Sequence, residues 1–424
     1  MSWYRILSGL VFLAVVSTVV YGAHTYLYRR LVRDVALGEG FRKAGLGLLA
    51  MLAVSIVLWP FTTRVFPTTA GDLLSRLGFL WMGLAFYLLV SVGLADVVRT
   101  LVARGERRKA APLPAAPRAE AAASPPVAPQ ETVQAPPAQP LEALAEAQRG
   151  SLGRRELLAR TAAVGATSVA AAVTSYGVWR SYAPARVTEV AVKLPGLPPA
   201  LSGMTLVQLS DIHVGVSIDR RFVVDMVERV NALKPDLVAI TGDLVDGSVA
   251  HLFDRVAELQ RLRSRYGSYF CTGNHDYYSG EREWCAALEK LGVVTLRNRF
   301  VPVGDTSPGG ATFDLVGVDD WKGDYDLERA TAGRDPARAG VLLAHQPRGF
   351  REAYARGIGL QLSGHTHGGQ FYPWALVVQA VYPQVAGMYQ GEGGQLYVSR
   401  GTGFWGPPVR VGAPPEIVKL VLTS

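Results

Sequence analysis

The sequence predicts an α/β sandwich with mixed β-sheets, set behind a group of membrane-spanning helices. Three patterns carry that expectation. Long apolar runs fill the first hundred residues, short apolar runs alternate with amphipathic stretches from residue 186 onward, and the later short runs end in aspartate, asparagine or histidine. Hydrophobic residues make up 49% of the 424 and mean hydropathy is +0.18, high for a purely soluble enzyme. Net charge is +8 and the isoelectric point about 9.5, so where the positive charge lies decides whether nucleic acid is a candidate partner. Two cysteines, Cys271 and Cys285, are too few for a disulfide framework.

Ile6–Tyr28, Ala44–Pro60 and Leu77–Val98 are nearly uninterrupted apolar runs. A bilayer needs about 20 such residues per helix, so each reads as a span within a membrane domain over residues 1–102. His24 and Asp96 fall near span ends and read as interfacial residues. Between the first two spans lie Arg29, Arg30, Arg33, Arg42 and Lys43, and after the third lie Arg99, Arg104, Arg107, Arg108 and Lys109. Only Arg64 and Arg76 stand between the second and third. Positive charge marks cytoplasmic loops, so the amino terminus is expected to face outward. Most of the basic excess then serves topology, and no nucleic-acid partner is expected.

Residues 103–152 carry no aromatic up to Gly150, and Ala110–Gln139 is dominated by Ala, Pro, Glu and Gln. Such a stretch buries too little apolar surface to offset its ordering entropy and reads as a disordered linker. A fourth apolar segment, residues 153–180, opens with Gly153-Arg154-Arg155-Glu156-Leu157-Leu158. This is either a twin-arginine-like export signal, with Leu157 where Phe is usual, or a fourth span with its arginines at the cytoplasmic end. Both place the remainder outside the cytoplasm.

Residues 186–424 are expected to form the catalytic domain. Strands are expected at Val187–Leu194, Met204–Leu209, Leu237–Ile240, Tyr269–Cys271, Phe313–Val318, Val341–Ala344, Ile358–Leu362, Leu396–Ser399 and Ile417–Leu422. Helices are expected at Asp219–Leu233, with Phe222, Val223, Met226, Val227 and Val230 on one face, and at Val249–Arg263. Cys271 reads as a small buried residue within its strand.

The chemistry lies just after those strands. In order come Asp211-Ile212-His213, Gly242-Asp243-Leu244-Val245-Asp246, Gly273-Asn274-His275-Asp276, His345 and Gly364-His365-Thr366-His367. Five of the seven histidines fall in these places. Hard oxygen and imidazole donors without thiolate suit Mn²⁺, Fe or Zn²⁺. Seven such donors exceed one ion's needs. They suit two divalent ions sharing a carboxylate about 4 Å apart, as in sites that hydrolyse phosphoesters. Asp246 and Asp276 read either as hydrogen-bonding supports or as solvated loop residues.

These spaced motifs resemble the calcineurin-like metallophosphoesterases over roughly Met204–Gly403. The resemblance implies a four-layer sandwich of two mixed β-sheets flanked by helices, preceded here by the α-helical transmembrane region. It implies that Asp211, His213 and His367 hold one ion, that Asn274, His345 and His365 hold the other, and that Asp243 bridges them. It also implies that His275 contacts the phosphate and protonates the leaving oxygen, with Asn274 beside the substrate. Gly364–Gln370 together with Ser399-Arg400-Gly401 looks like the membrane-associated branch of the family, which includes exported phosphodiesterases. Arg400 and Arg410 read either as phosphate contacts or as solvated arginines.

The expectation is a membrane-anchored dimetal phosphodiesterase in the cytoplasmic membrane, its catalytic domain outside the cytoplasm and a lipid head group among its candidate substrates. A nucleotide-lipid pyrophosphohydrolase of the UDP-diacylglucosamine type on the cytoplasmic face, and a non-enzymatic membrane sensor, are the alternatives.

Overall fold

A computed structural model describes residues 3–35, 38–65, 69–109 and 153–424. Among the described residues four helices are long and apolar enough to cross a membrane: α1 (Trp3–Tyr28), α2 (Glu39–Val65), α3 (Thr69–Lys109) and α4 (Arg154–Tyr182). Helix α3 overruns the expected start of the linker. Residues 103–109 continue it because Ala, Arg, Glu and Lys favour helix and the first proline comes only at Pro112. Ala110–Gln139, the core of the expected linker, lies outside the described residues.

By contact density the described chain divides into two compact units: residues 1–53 with 85–171, and residues 54–84 with 172–424. In the first unit Asp96 is more than interfacial. It is paired with Arg30 at 2.8 Å and accepts the Tyr26 hydroxyl at 2.8 Å. The second unit is wider than residues 186–424, because it also takes one end each of α2, α3 and α4.

Two six-stranded sheets build most of that second unit. With strands numbered in chain order, the first runs β1 (Arg186–Lys193), β12 (Glu416–Thr423), β2 (Thr205–Leu209), β3 (Leu237–Thr241), β4 (Ser268–Cys271), β5 (Val293–Thr295). The second runs β10 (Gly387–Gly391), β11 (Gly394–Val398), β9 (Leu360–Ser363), β8 (Gly340–Leu343), β7 (Thr312–Gly317), β6 (Arg299–Gly304). Both are mixed. Strands β2 to β5 are mutually parallel and β12 joins β2 antiparallel, while β7, β8, β9 and β11 are parallel between antiparallel edges β6 and β10.

The alternation of side chains explains the four layers. In β3, Leu237 and Ala239 face the core between the sheets, with Leu315, Val341, Leu343 and Leu362 of the second sheet. Val238 and Ile240 face the other way, onto Val223, Met226, Val227 and Val230 of helix Arg220–Ala232. Across the molecule Val316 and Leu342 pack outward against Leu327, Ala330 and Ala353. A strand covered on both faces reads as an unbroken apolar run, as β3 does. The expected helix Val249–Arg263 is α-helical only to Val256, and Ala257–Arg261 tightens into a 3₁₀ turn.

Candidate metal centre

Every expected donor comes from a loop that follows the carboxyl end of a parallel strand, where open α/β sheets place their ligands. Strands β2, β3 and β4 deliver Asp211 with His213, Asp243, and Asn274 with His275, while β8 and β9 deliver His345, His365 and His367. The backbone is bent hard there. Asp211, His213, Asp243, His365 and His367 all have positive φ, between 51° and 70°. Residues with a Cβ cost about 1–2 kcal/mol in this left-handed region, so the surrounding structure must impose it. It does so through backbone bonds between loops: Asp211 N donates to Gly242 O at 3.1 Å, His213 N to Asp243 O at 3.0 Å and Gly364 N to His345 O at 2.8 Å. Gly364 is required because a Cβ there would overlap Ser210 Oγ and the Asp211 carboxylate, and Gly273 because one would overlap Asp243.

Among the described residues three overlapping donor sets result. Asp211, His213 and His367 form the first, Asp243, His345 and His365 the second, and His213, Asp243 and His275 a third between them; within each set the ligating atoms lie within 4.8 Å of one another. In the first set His213 Nε2 faces His367 Nε2 at 3.2 Å, and His367 Nε2 faces Asp211 Oδ1 at 3.4 Å. In the second, His345 Nε2 lies 3.1 Å from Asp243 Oδ2, and Asp243 Oδ2 is also 3.7 Å from His213 Nε2, so this carboxylate touches both sets. Asn274 Oδ1 and His345 Nε2 are buried without a hydrogen-bond partner. Buried polar atoms are seldom left unpaired, and a cation is the partner that lone pairs aimed at one another require. The seven residues therefore fit two divalent ions.

The tautomers agree. His345 Nδ1 donates to Thr241 O at 2.8 Å, which leaves the Nε2 lone pair directed into the centre. His213 Nδ1 lies 3.2 Å from Asp246 Oδ2, leaving its Nε2 free in the same way. His365 Nε2 instead meets Tyr382 Oη at 2.9 Å, so Nδ1 is its remaining ligand atom. Burial lowers His365 to about 3 and holds His367 well below its usual value. Neutral imidazoles are the form a metal takes.

His275 belongs to the same cluster but is held differently. Its Nδ1 lies 2.6 Å from Asp246 Oδ1, its backbone N donates to Asp243 Oδ1 at 2.8 Å, and its ring meets Trp405 edge-on at 5.2 Å between centroids. Burial alone would lower its pKa, but the Asp246 carboxylate outweighs burial and lifts it to about 9. A protonated His275 so placed can bind phosphate or give up a proton.

Of the two readings for Asp246 and Asp276, the supporting one holds. Asp246 serves both His213 and His275. Asp276 is 1% exposed and accepts the backbone N–H groups of Gly273 at 2.7 Å, Asp243 at 2.9 Å and Leu244 at 3.0 Å, tying the β3 and β4 loops together. Losing the charge of such a partner costs a site about 10- to 100-fold, and Asp246→Asn is expected to lower turnover by that factor with the fold intact by circular dichroism.

Arg410 is neither a phosphate contact nor a solvated arginine. It is fully buried, and Nη1 donates to His367 O at 2.9 Å, Arg400 O at 2.7 Å and Ala413 O at 3.1 Å. Arg400 places its Nη1 3.0 Å from Glu416. Tyr382 and Trp405 escape a sequence reading, because no motif marks an aromatic that reaches a site from a distant loop.

A family model described as calcineurin-like phosphoesterase matches residues 204–369. A "transmembrane protein with metallophosphoesterase domain" of Bos taurus is 39% identical over 290 residues, covering 65% of each chain. An uncharacterized metallophosphoesterase of Campylobacter jejuni is 38% identical over 240 residues, covering 56% of this chain and 63% of its own. One of Aquifex aeolicus is 32% identical over 243 residues, covering 55% of this chain and 90% of its own. The chain belongs to the calcineurin-like metallophosphoesterase family. It spans just under two thirds of the length of the bovine and Campylobacter relatives.

Proposed function

We propose that this protein is a membrane-anchored phosphodiesterase whose catalytic domain works outside the cytoplasm. The observation that carries the reading is the convergence of Asp211, His213, Asp243, His345, His365 and His367 from four strand ends, with Asp243 Oδ2 3.1 Å from His345 Nε2 and 3.7 Å from His213 Nε2. Asp211, His213 and His367 would hold one divalent ion, Asn274, His345 and His365 the other. Bound there, the ions supply Lewis acidity to the phosphoester and to the attacking water. The protein supplies the rest. Asp246 keeps His275 protonated and aimed, so its Nε2–H can bind a phosphate oxygen and then pass its proton to the departing alcohol. The Trp405 and Tyr278 rings lie edge-on to His275, 5.2 and 5.4 Å away between centroids.

The side of the membrane follows from loop charge. Arg30, Arg33 and Lys43 lie between the first two spans, Arg99 and Arg104 follow the third, and Arg154 and Arg155 open the fourth, which the catalytic domain follows. If the basic ends are cytoplasmic, the catalytic domain is not. A domain built onto helix ends reaches lipid head groups readily, so a lipid phosphodiester is the favoured substrate class.

The test is hydrolysis of bis-p-nitrophenyl phosphate by the full chain in nanodiscs, after chelation and re-addition of Mn²⁺, Fe²⁺ or Zn²⁺. The expected result is turnover that chelation abolishes and a metal restores, faster than on p-nitrophenyl phosphate. Turnover of the monoester alone would overturn the diesterase reading, and none on any phosphoester would overturn the enzyme reading.

A further inference from the structure

Helix Trp374–Val381, with the sequence WALVVQAV, lies a few residues after the last metal-donor histidine and carries no charged side chain. Trp374, Leu376, Val377 and Val381 are 45%, 57%, 48% and 63% exposed, and Tyr372 just before them is 49% exposed. A contiguous apolar surface of this kind marks a docking face. Both its ends are tied to the metal centre. At the start, Gly369 packs directly on Ala375; at the end, Tyr382 meets His365. The exposed Arg348 lies 3.3 Å from Tyr382 Oη and over its ring at 5.4 Å, so positive charge borders the apolar patch.

What this face docks onto follows from its neighbour, the loop Phe404–Val411. One side of that loop holds the start of the helix. Tyr372 N donates to Val411 O at 3.0 Å, and Gln370 Nε2 to Trp405 O at 2.9 Å. The other side packs on apolar helix ends of the same compact unit. A methyl group placed on Gly83 of α3 would stand 2.8 Å from Val409 Cγ2, one on Gly177 of α4 would stand 2.5 Å from Val409 Cγ1, and the Trp59 ring of α2 lies 6.2 Å from that of Trp405. Gly83 is six residues inside the apolar run that begins at Leu77. Trp59, Gly83 and Gly177 all fall within helix segments long and apolar enough to cross a membrane, so the loop packed on them lies beside bilayer rather than in bulk water. Exposed Tyr176 and Trp179, at 52% and 65%, lie near the same end of α4, as residues of an interfacial aromatic belt do.

We propose that helix Trp374–Val381 inserts its apolar face into the head-group and acyl boundary of the leaflet entered by these ends of α2, α3 and α4. Its occupant is bilayer lipid. The insertion holds His365 and its neighbours at the membrane surface, where the phosphoester of a lipid reaches them; this last step rests on the phosphodiesterase reading above, and the insertion itself does not.

The test uses the full chain in nanodiscs of phosphatidylcholine and phosphatidylglycerol. Leu376→Cys and, separately, Val381→Cys are labelled with a fluorophore, the native Cys271 and Cys285 being 1% and 7% exposed. Two positions keep the test usable if one variant folds poorly. The expected result is loss of emission with doxyl-labelled lipid and protection from aqueous iodide. Quenching by iodide instead would overturn the proposal, as would quenching by neither, which would mean that protein, such as a second copy of the chain, covers the helix. The readout needs no turnover, so a failed hydrolysis assay and a failed insertion are told apart.

Discussion

Asp243→Ala is expected to abolish metal-dependent turnover, lowering it by more than about 10³-fold, or about 4 kcal/mol of transition-state stabilisation. Asp243 reaches both donor sets through one oxygen, Oδ2, which lies 3.1 Å from His345 Nε2 and 3.7 Å from His213 Nε2. Its Oδ1 also receives the His275 backbone N–H, so its loss loosens the proposed proton donor as well. Asp243 sits at φ 51°, a conformation that alanine adopts less readily than aspartate or asparagine. Asp243→Asn therefore belongs beside it: it keeps the local shape and removes only the charge. Turnover within about tenfold of wild type in both variants would contradict a shared metal ligand. The measurement is kcat with metal in excess, in the same nanodiscs.

Arg410→Met is expected to give the largest loss of stability, about 3–5 kcal/mol, seen as a lower thermal midpoint. The guanidinium is fully buried, and burial lowers its pKa to about 10 with Asp211 and Glu416 opposing. Three carbonyl oxygens, on His367, Arg400 and Ala413, accept from its Nη1 and would lose a charge-assisted donor together. Because His367 is among them, weakened metal retention is expected to accompany the lower midpoint. An unchanged midpoint would show that the buried cation contributes nothing net.

The metal loops are legible because each is announced twice. A short apolar run says strand, and Asp, Asn or His beside glycine says that the chain turns there and carries donors. Glycines at 273 and 364 stand where bulk is excluded. What cannot be read lies across the chain. Arg410 looks like any surface arginine, since only the tertiary fold surrounds it with carbonyls. Tyr382 and Trp405 reach His365 and His275 from separate loops without a local signal. Strand β5 has three residues and β10 contains two glycines, so neither offers an alternation long enough to detect. Helix Trp374–Val381 is apolar on nearly every face, which hides its period. By contrast Glu281–Lys290 buries Trp284, Cys285 and Leu288 at helical spacing and is open to recognition. The limit of the catalytic unit differs from the expected one for a related reason: composition marks where membrane helices begin and end, not which domain their ends pack into.

Metal content tests the central claim most directly. The full chain, dialysed with Mn²⁺ or Zn²⁺ and freed of loose ions, is analysed by elemental mass spectrometry beside Asp243→Asn. The account predicts two ions per chain in the wild type and fewer in the variant. One ion or none in the wild type, with the protein folded, would contradict it.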